Sequence, residues 1–360
     1  MDLESLIKEE HKRKTKKGYM WALICALLWG IWYIPGTVIW VLNPFDTMYA
    51  EIAPLDGDST ALFVTAILIT ALTALTVMIG LLLWNLVTGK FGEIHRTARE
   101  FRPCSKWFFL AAICGGPIAI LGSYMAMGFV GGAFAAVASL LFPIVSSILA
   151  SKWYGERISK RAALGIFLIV CGGIAIYAGG LLAELATGSV RWLGYIGGLM
   201  AAVGWGAEGA VAGKGLDLAE PDVGLTIRFF AETLLWWILV IPILVIIGYP
   251  MIKYTLMAFD PMVFMVLMFA GLAFGYCYVA LYKALPLIGV GRGQGVANLY
   301  GLCAVIFIMM FFGDIPSWTL LLGAFLCLAG STVMYTEEVS GEALRAESTV
   351  TYGEEVLGEA

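Results

Sequence analysis

Charged residues are scarce in this sequence, and their scarcity excludes the soluble classes of protein. Only 13% of the 360 residues are Asp, Glu, Lys or Arg, whereas 61% are hydrophobic. A soluble domain carries about 25% charged and about 45–50% apolar residues, and a soluble globule of this length could not bury so much apolar sequence. The composition excludes a cytosolic enzyme, a nucleic-acid-binding protein and a disulfide-rich secreted domain, and it predicts a polytopic membrane protein.

Histidine and nucleotide-binding motifs are also nearly missing. Both histidines, His11 and His95, fall in polar segments, so no imidazole relay crosses the apolar sequence. There is no HExxH metal motif and no P-loop, which argues against a metalloprotease and against ATP-driven transport. The seven cysteines form no CxxC pair and are typical of free thiols in apolar helices. We therefore expect no metal, no cofactor and no enzymatic activity.

Long apolar runs are what the sequence has in abundance. A spanning helix needs about 20 apolar residues, and each span must be helical because lipid offers the backbone no hydrogen-bond partner. The predicted spans are 18–42, 59–87, 106–129, 132–153, 161–183, 191–213, 223–248, 259–284, 288–312 and 318–336. The first run is too long for the core of a signal peptide. The predicted fold class is an all-α membrane protein with ten transmembrane helices.

The positive charges predict the orientation of these spans. Of the 22 Lys and Arg residues, 19 fall in segments that share one face of the membrane. Those segments include the basic N-terminus, 1–17, and the acidic tail, 337–360. Because loops rich in Lys and Arg stay in the cytoplasm, we expect both termini to be cytoplasmic and the protein to lie in the cell membrane.

An internal repeat divides the chain into two halves. Residues 155–159 (GERIS) and two following glycines recur as residues 313–317 (GDIPS) with their glycines, all at an offset of 158. The acids of these stretches, Glu156 and Asp314, each precede a serine that can cap the next helix. The first helix recurs in the sixth at an offset of 176, so that Trp29 corresponds to Trp205. The 18 additional residues of the first half are assigned to the loops 43–58 and 88–105.

The repeat predicts a mechanism class. Five helices in each half, 18–183 and 184–336, place the repeated motif on opposite faces of the membrane, so the halves form an inverted-topology repeat. Such folds bind their substrate near the midplane, between the halves, and work by alternating access.

With these motifs, the sequence resembles the drug/metabolite transporter superfamily, and its EamA-like branch best. The closing stretches 143–173 and 301–330 carry most of the resemblance, together with the Trp-Gly pair in the first helix of each half. The resemblance implies a transporter whose helices 1–4 and 6–9 line a cavity, with helices 5 and 10 outside it. The family proline of helix 4 matches Pro143, whereas its mate in helix 9 is Gly301.

Glu208 is the first candidate for substrate or proton binding. Intramembrane charge is costly and marks functional sites, and Glu208 lies somewhat past the midplane of helix 6. Its repeat mate is Trp32, and Trp29, Tyr33 and Trp205 are expected nearby. A carboxylate among aromatic faces favours a cation, especially an alkylated ammonium. The alternative is that Glu208 pairs with a basic group in a structural role.

Helix 7 carries the other deep charges. Arg228 and Glu232 are four residues apart, so they share a helix face and can pair. If they pair, Arg228 and Glu232 neutralise each other and have a structural role. Alternatively, they are coupling or gating residues, and Glu232 is then the second candidate, after Glu208, for binding a coupling proton.

Polar side chains on helices 3, 8 and 9 complete the candidate site. Gln294 and Asn298 share one face of helix 9 and are predicted either to orient the substrate or to join helices. Tyr124 and Tyr278 are predicted to line the cavity with their hydroxyl groups.

These observations predict a secondary transporter of a small polar or cationic metabolite: an amine, a quaternary ammonium compound or an amino acid. Proton coupling and a homodimer are compatible with the sequence, and no nucleic-acid partner is expected. One alternative is an anionic metabolite or sugar bound by a basic pocket of Arg228, Lys283 and Arg292. Another is a flippase for lipid head groups with the same fold.

Overall fold

The computed structural model describes residues 3–100, 102–154, 160–217, 219–313 and 315–335. That part of the chain is helical and contains no strand. The first nine helices are α1 (Leu3–Val38), α2 (Phe45–Asp56), α3 (Asp58–Val87), α4 (Phe91–Glu100), α5 (Arg102–Ile113), α6 (Leu121–Phe129), α7 (Gly132–Ala138), α8 (Phe142–Tyr154) and α9 (Lys160–Thr187). The others are α10 (Trp192–Leu216), α11 (Pro221–Leu234), α12 (Ile241–Ile246), α13 (Met251–Met257), α14 (Pro261–Ile288), α15 (Val290–Ala297), α16 (Tyr300–Phe312) and α17 (Trp318–Tyr335).

Within the described residues, eight helical stretches are long and apolar enough to cross a membrane. They are Lys12–Val41, Asp58–Val87, Ser105–Phe129, Gly132–Trp153, Lys160–Thr187, Pro221–Ile246, Pro261–Ile288 and Arg292–Phe312. This makes the protein a multi-pass membrane protein. The two other predicted spans coincide with α10, which is rich in glycine, and with α17, whose apolar part Trp318–Val333 is shorter. The count of ten therefore stays a prediction.

The segments between the spans differ from the expectation. The loops predicted at 43–58 and 88–105 contain the short helices α2 and α4. In α4, Arg96 pairs with Glu93 one turn earlier, which is the spacing that stabilises an exposed helix. The basic segment before the first span is also helical and forms the first part of α1. These helices are short or charged, so a search for apolar runs overlooks them.

Several spans are interrupted. Cys114–Ile120 is π-helical around Pro117, and Leu235–Val240 is π-helical just before Pro242, because a proline cannot donate the next helical hydrogen bond. Two further interruptions lie 158 residues apart. The fourth span changes to a 3₁₀ turn at Ser139–Leu141, next to Pro143, and the ninth is interrupted at residues 298–299. The ninth span is thus broken even though Gly301 replaces the proline.

The packing of the helices places the candidate site. α1 packs against α14 and α16, while α10 packs against α5, α6 and α8. α9 and α17 pack against each other along a glycine seam. An added Cβ on Gly172 would lie 2.7 Å from the Gly323 carbonyl oxygen, and one on Gly330 would lie 2.5 Å from that of Gly165. The glycines of these two helices therefore pack within one chain.

Three of the predicted features lie outside the described residues. They are residues 155–159 with Glu156, Asp314, and the acidic tail. At the start of α17, the Leu320 amide donates to Ser317 Oγ over 3.3 Å, so this serine caps its helix as the repeat predicts.

Candidate functional site

Three buried charged side chains meet where α10 and α11 face each other. Arg228 Nε donates to Glu208 Oε1 over 2.7 Å, and Arg228 Nη1 pairs with Glu232 Oε2. Their side chains are 0%, 3% and 0% exposed for Arg228, Glu208 and Glu232. We call these residues the charge triad. The pair that the spacing of Arg228 and Glu232 predicts is present, and Glu208 joins it from the neighbouring helix.

A pair of glycines makes room for the charge triad. Gly115 and Gly116 lie in the π-helical stretch, and a Cβ on Gly115 would lie 2.5 Å from Glu208 Oε2 and overlap Arg228 Nη2. A Cβ on Gly116 would lie 2.6 Å from Glu232 Cδ. Any side chain at these positions would have to displace the charged groups. Sequence reasoning missed this role, although two glycines before a proline inside an apolar run signal a distorted helix.

The carboxylates of the triad accept further hydrogen bonds. Tyr278 Oη donates to Glu208 Oε2 over 2.6 Å, and Trp236 Nε1 lies 3.4 Å from Glu232 Oε1. The Arg228 guanidinium carbon lies 3.9 Å from the centre of the Phe229 ring. With every group ionised, the triad holds two negative charges and one positive charge. Because net charge is expensive in a buried, low-dielectric site, this arrangement is suited to take up one proton or one cation.

An aromatic cluster lies beside the triad. It consists of Trp29, Trp32, Tyr33, Phe142, Trp205, Phe274 and Tyr300, all at most 2% exposed. Trp29 stacks on Tyr300 with ring centres 4.4 Å apart and meets Trp205 edge-on at 4.8 Å. Trp32 stacks on Phe274 at 4.2 Å. In this conformation the rings fill the space between α1, α10 and α16.

Three members of the aromatic cluster were not predicted from the sequence. Phe142 and Tyr300 lie 158 residues apart, and both approach Trp29, with ring centres 6.2 Å and 4.4 Å away. The repeat offset was therefore a signal that could have identified this pair. Phe274 carries no such signal, because its counterpart at that offset is Gly116.

Tyr278 connects the two parts of the site. Its hydroxyl binds Glu208, and its ring centre lies 6.1 Å from that of Trp29 and 5.0 Å from that of Phe274. Tyr124 lies further away, with its ring 5.5 Å from Trp32 and its hydroxyl 2.8 Å from Thr73 Oγ1. The structure thus brings most of the predicted site residues together around Tyr278.

The two amides of the ninth span take different positions. Gln294 Nε2 donates to the Trp205 carbonyl oxygen over 3.2 Å and lies against Gly209, next to Glu208. Asn298 Nδ2 donates to Ser331 Oγ on α17 over 2.7 Å. Gln294 therefore lies at the candidate site, whereas Asn298 joins two helices.

Several buried donors at the site have no hydrogen-bond partner among the described residues. They include Trp29 Nε1, Trp205 Nε1 and Arg228 Nη2. An unpaired buried donor costs about 1–3 kcal/mol. A polar ligand that brings acceptor atoms between these groups would recover that free energy.

Two of the three basic residues of the alternative site bind different acids. Arg228 binds the two glutamates of the triad, and Lys283 lies 3.1 Å from Asp222 at the start of α11. A single pocket of Arg228, Lys283 and Arg292 stays a prediction.

Comparisons with known proteins agree with a membrane transporter. Residues 58–178 match the EamA-like transporter family, so the resemblance predicted from the sequence is confirmed over the second to fifth predicted spans. The fold is similar to that of a solved crystal structure, with a TM-score of 0.57 at 16% sequence identity. That alignment covers 88% of this chain and 96% of the other. No curated protein matches the sequence.

Proposed function

We propose that this protein is a secondary transporter that moves a small polar or cationic metabolite across the cell membrane by alternating access. The observation that carries the proposal is the charge triad, which has one more acid than base and is buried against the aromatic cluster. Replacing a buried ion pair by apolar residues of similar volume is often neutral or stabilising, so stability alone does not account for the charge triad. Ionisable residues inside a membrane mark functional sites, which supports a role in transport.

Matching contacts in the two proposed halves support the repeat. A Cβ on Gly18 would meet Ile288 and Leu287 at 2.5 and 2.9 Å. At the corresponding position, a Cβ on Gly194 would meet Val130 and Phe129 at 2.6 and 2.7 Å. The two glycines are 176 residues apart, and their contact partners are 158 residues apart. Both offsets are those of the sequence repeat.

A second pair of glycines repeats the correspondence. A Cβ on Gly30 would lie 2.5 Å from Cys303 Cβ, and one on Gly206 would lie 2.6 Å from Val145 Cβ. The positions again differ by 176 and 158. These pairs favour two halves, 18–183 and 184–336, that use the same helix contacts in opposite orientation.

The substrate class follows from the charge of the site. Tyr278 connects Glu208 to the aromatic cluster, so Glu208 is our candidate for binding either the cationic group or the coupling proton. Trp29, Trp205 and Tyr278 present faces and N–H or O–H groups to the same region, which suits an amine or amino acid with acceptor atoms. Because all these residues are buried, binding requires the two halves to move apart.

The experiment is thermal unfolding of the purified protein in detergent with ligands grouped by charge. A ligand at a hundred times its Kd adds about 2.7 kcal/mol to the free energy of unfolding. We expect stabilisation by alkylammonium compounds or amino acids in the parent and none in Glu208→Gln. Glu184→Gln is the control, since Glu184 forms an ion pair with Arg191 away from the site. Unchanged stabilisation of Glu208→Gln would contradict the assignment.

One observation favours a second candidate, an anionic or sugar substrate. Arg228 Nη2 is buried without a partner and could receive a carboxylate or hydroxyl oxygen. Stabilisation by organic anions or sugars alone, in the parent and in Glu208→Gln, would support it.

A further inference from the structure

A second charge cluster, built around one buried acid, lies at one end of the helix bundle; the side chains of Lys283, Lys90 and Glu220 are 19%, 30% and 43% exposed. It consists of Lys90, Glu220, Asp222 and Lys283, which we call the ion cluster. Asp222, at 0% side-chain exposure, lies 2.7 Å from Lys90 Nζ and 3.1 Å from Lys283 Nζ, and Lys90 also pairs with Glu220. Neither Lys90 nor Asp222 was singled out by the sequence.

The ion cluster ties together parts of the chain that the proposed mechanism moves. Lys90 follows α3 in the first half, whereas Asp222 begins α11 and Lys283 lies near the end of α14, both in the second half. One turn inward, Asn85 Nδ2 donates to Thr226 Oγ1 over 2.8 Å. The ion cluster thus joins the two proposed halves at the end of the bundle where Lys90 and Lys283 are located.

Aromatic rings cover Lys283 in the ion cluster. Lys283 Nζ lies 5.0 Å from the centre of the Trp21 ring and 4.9 Å from that of Trp84. These rings limit the access of water, and an ion pair shielded from water is weakened less by solvent and salt than an exposed one. Partial burial alone would lower the pKa of Lys90, but its hydrogen bonds to Asp222 and Glu220 outweigh this and raise the pKa, so Lys90 keeps its charge.

The ion pair at the opposite end of the bundle has no buried acid. There Lys253 and the buried Tyr254 both bind Glu51, again between the two halves, and the Lys253 and Glu51 side chains are 53% and 41% exposed, against 0% for Asp222. At the repeat offset of 158, Lys283 corresponds to Met125, so the second lysine has no counterpart. Exposed pairs contribute little to stability, whereas breaking a buried pair is strongly unfavourable.

We propose that Asp222 is a positioning residue of the transport cycle, which locks the cytoplasmic end of the substrate pathway by holding Lys90 and Lys283 together. This inference rests on the proposed alternating-access function. It implies that the cytoplasmic end opens only when both lysines leave Asp222. The exposed pair at the other end opens more readily, so the resting protein is closed toward the cytoplasm.

The test measures access rather than transport. Tyr282→Cys, in a chain whose native cysteines are replaced by serine or alanine, places one thiol between the ion cluster and the charge triad. A membrane-impermeant maleimide is added to vesicles from the side of the ion cluster, and the labelling rate is measured. We expect Asp222→Asn to raise this rate about tenfold or more, which corresponds to about 1.4 kcal/mol. Asp222→Glu should restore slow labelling.

Two further variants keep the test decisive. Glu51→Gln, which removes the exposed pair at the opposite end, should label as slowly as the parent. Lys283→Gln, which removes one partner of Asp222, should give an intermediate rate and serves if Asp222→Asn does not fold. Equal labelling rates in all variants would contradict the proposal that Asp222 keeps the cytoplasmic end closed. The labelling needs no substrate, so loss of ligand binding in the earlier experiment would not affect its outcome.

Discussion

The two proposed halves differ in what they bring to the centre of the molecule. Within the described residues, the deep charges Glu208, Arg228 and Glu232 all lie in the second half. The first half provides aromatic rings, such as Trp29 and Trp32, and the glycines at which the charges fit. The glycine contacts that correspond between the proposed halves fit a repeat in which the packing is alike and the central side chains differ. The comparison teaches that two halves with similar packing can hold a site whose charged groups all come from one half.

The largest expected effect comes from removing the only base of the charge triad. Arg228→Met leaves two carboxylates buried without a cation, and we expect it to lower the free energy of unfolding by about 3–5 kcal/mol. Thermal or denaturant unfolding in detergent measures this loss. Adding Glu232→Gln to Arg228→Met removes one of the two charges and should recover part of it. A double variant no more stable than Arg228→Met would contradict the assigned pairing.

A smaller effect is expected where the aromatic cluster meets the triad. Tyr278→Phe removes the hydrogen bond to Glu208, and a bond to a charged group contributes about 1.5–3 kcal/mol. Tyr276→Phe, two residues away on the same helix, is the matched control because the Tyr276 hydroxyl makes no hydrogen bond with any of the residues that the structure describes. If both variants unfold at the same temperature, the link between triad and rings does not stabilise the protein.

The role of the first half is tested by adding a side chain at Gly115, where the charge triad fits against it. Gly115→Ala places a methyl group against Glu208 and Arg228, and overpacking of this kind costs about 1–3 kcal/mol. The control is Gly92→Ala in α4, where no atom lies within 4 Å of an added Cβ and alanine favours the helix. Unfolding temperatures should fall for the first and stay level or rise for the second. The opposite ranking would show that the glycines are not needed for the triad.

The sequence predicted the elements that depend on local pattern. Apolar runs located the long helices, and the spacing of Arg228 and Glu232 predicted their pair. The approach of Glu208 to Arg228 depends on how α10 packs against α11, which no local pattern encodes. The contact between Trp29 and Trp205 agrees with the repeat, since related positions of a two-fold pair meet near its axis. Phe142 and Tyr300 also occupy positions related by the repeat and lie close together. Because one is a phenylalanine and the other a tyrosine, a search for identical residues in the two halves does not find them.

The matched glycine contacts have a thermodynamic consequence. In the proposed rocking cycle, helix interfaces with the same glycine positions and similar close distances are expected to have similar free energies, so exchanging one for the other costs little. The two end states of such a cycle then lie close in energy, and their populations respond to small terms. A difference of about 1.4 kcal/mol is enough to change the ratio of the states tenfold. In a scaffold balanced in this way, a single aspartate such as Asp222 can set which side of the membrane the empty carrier faces.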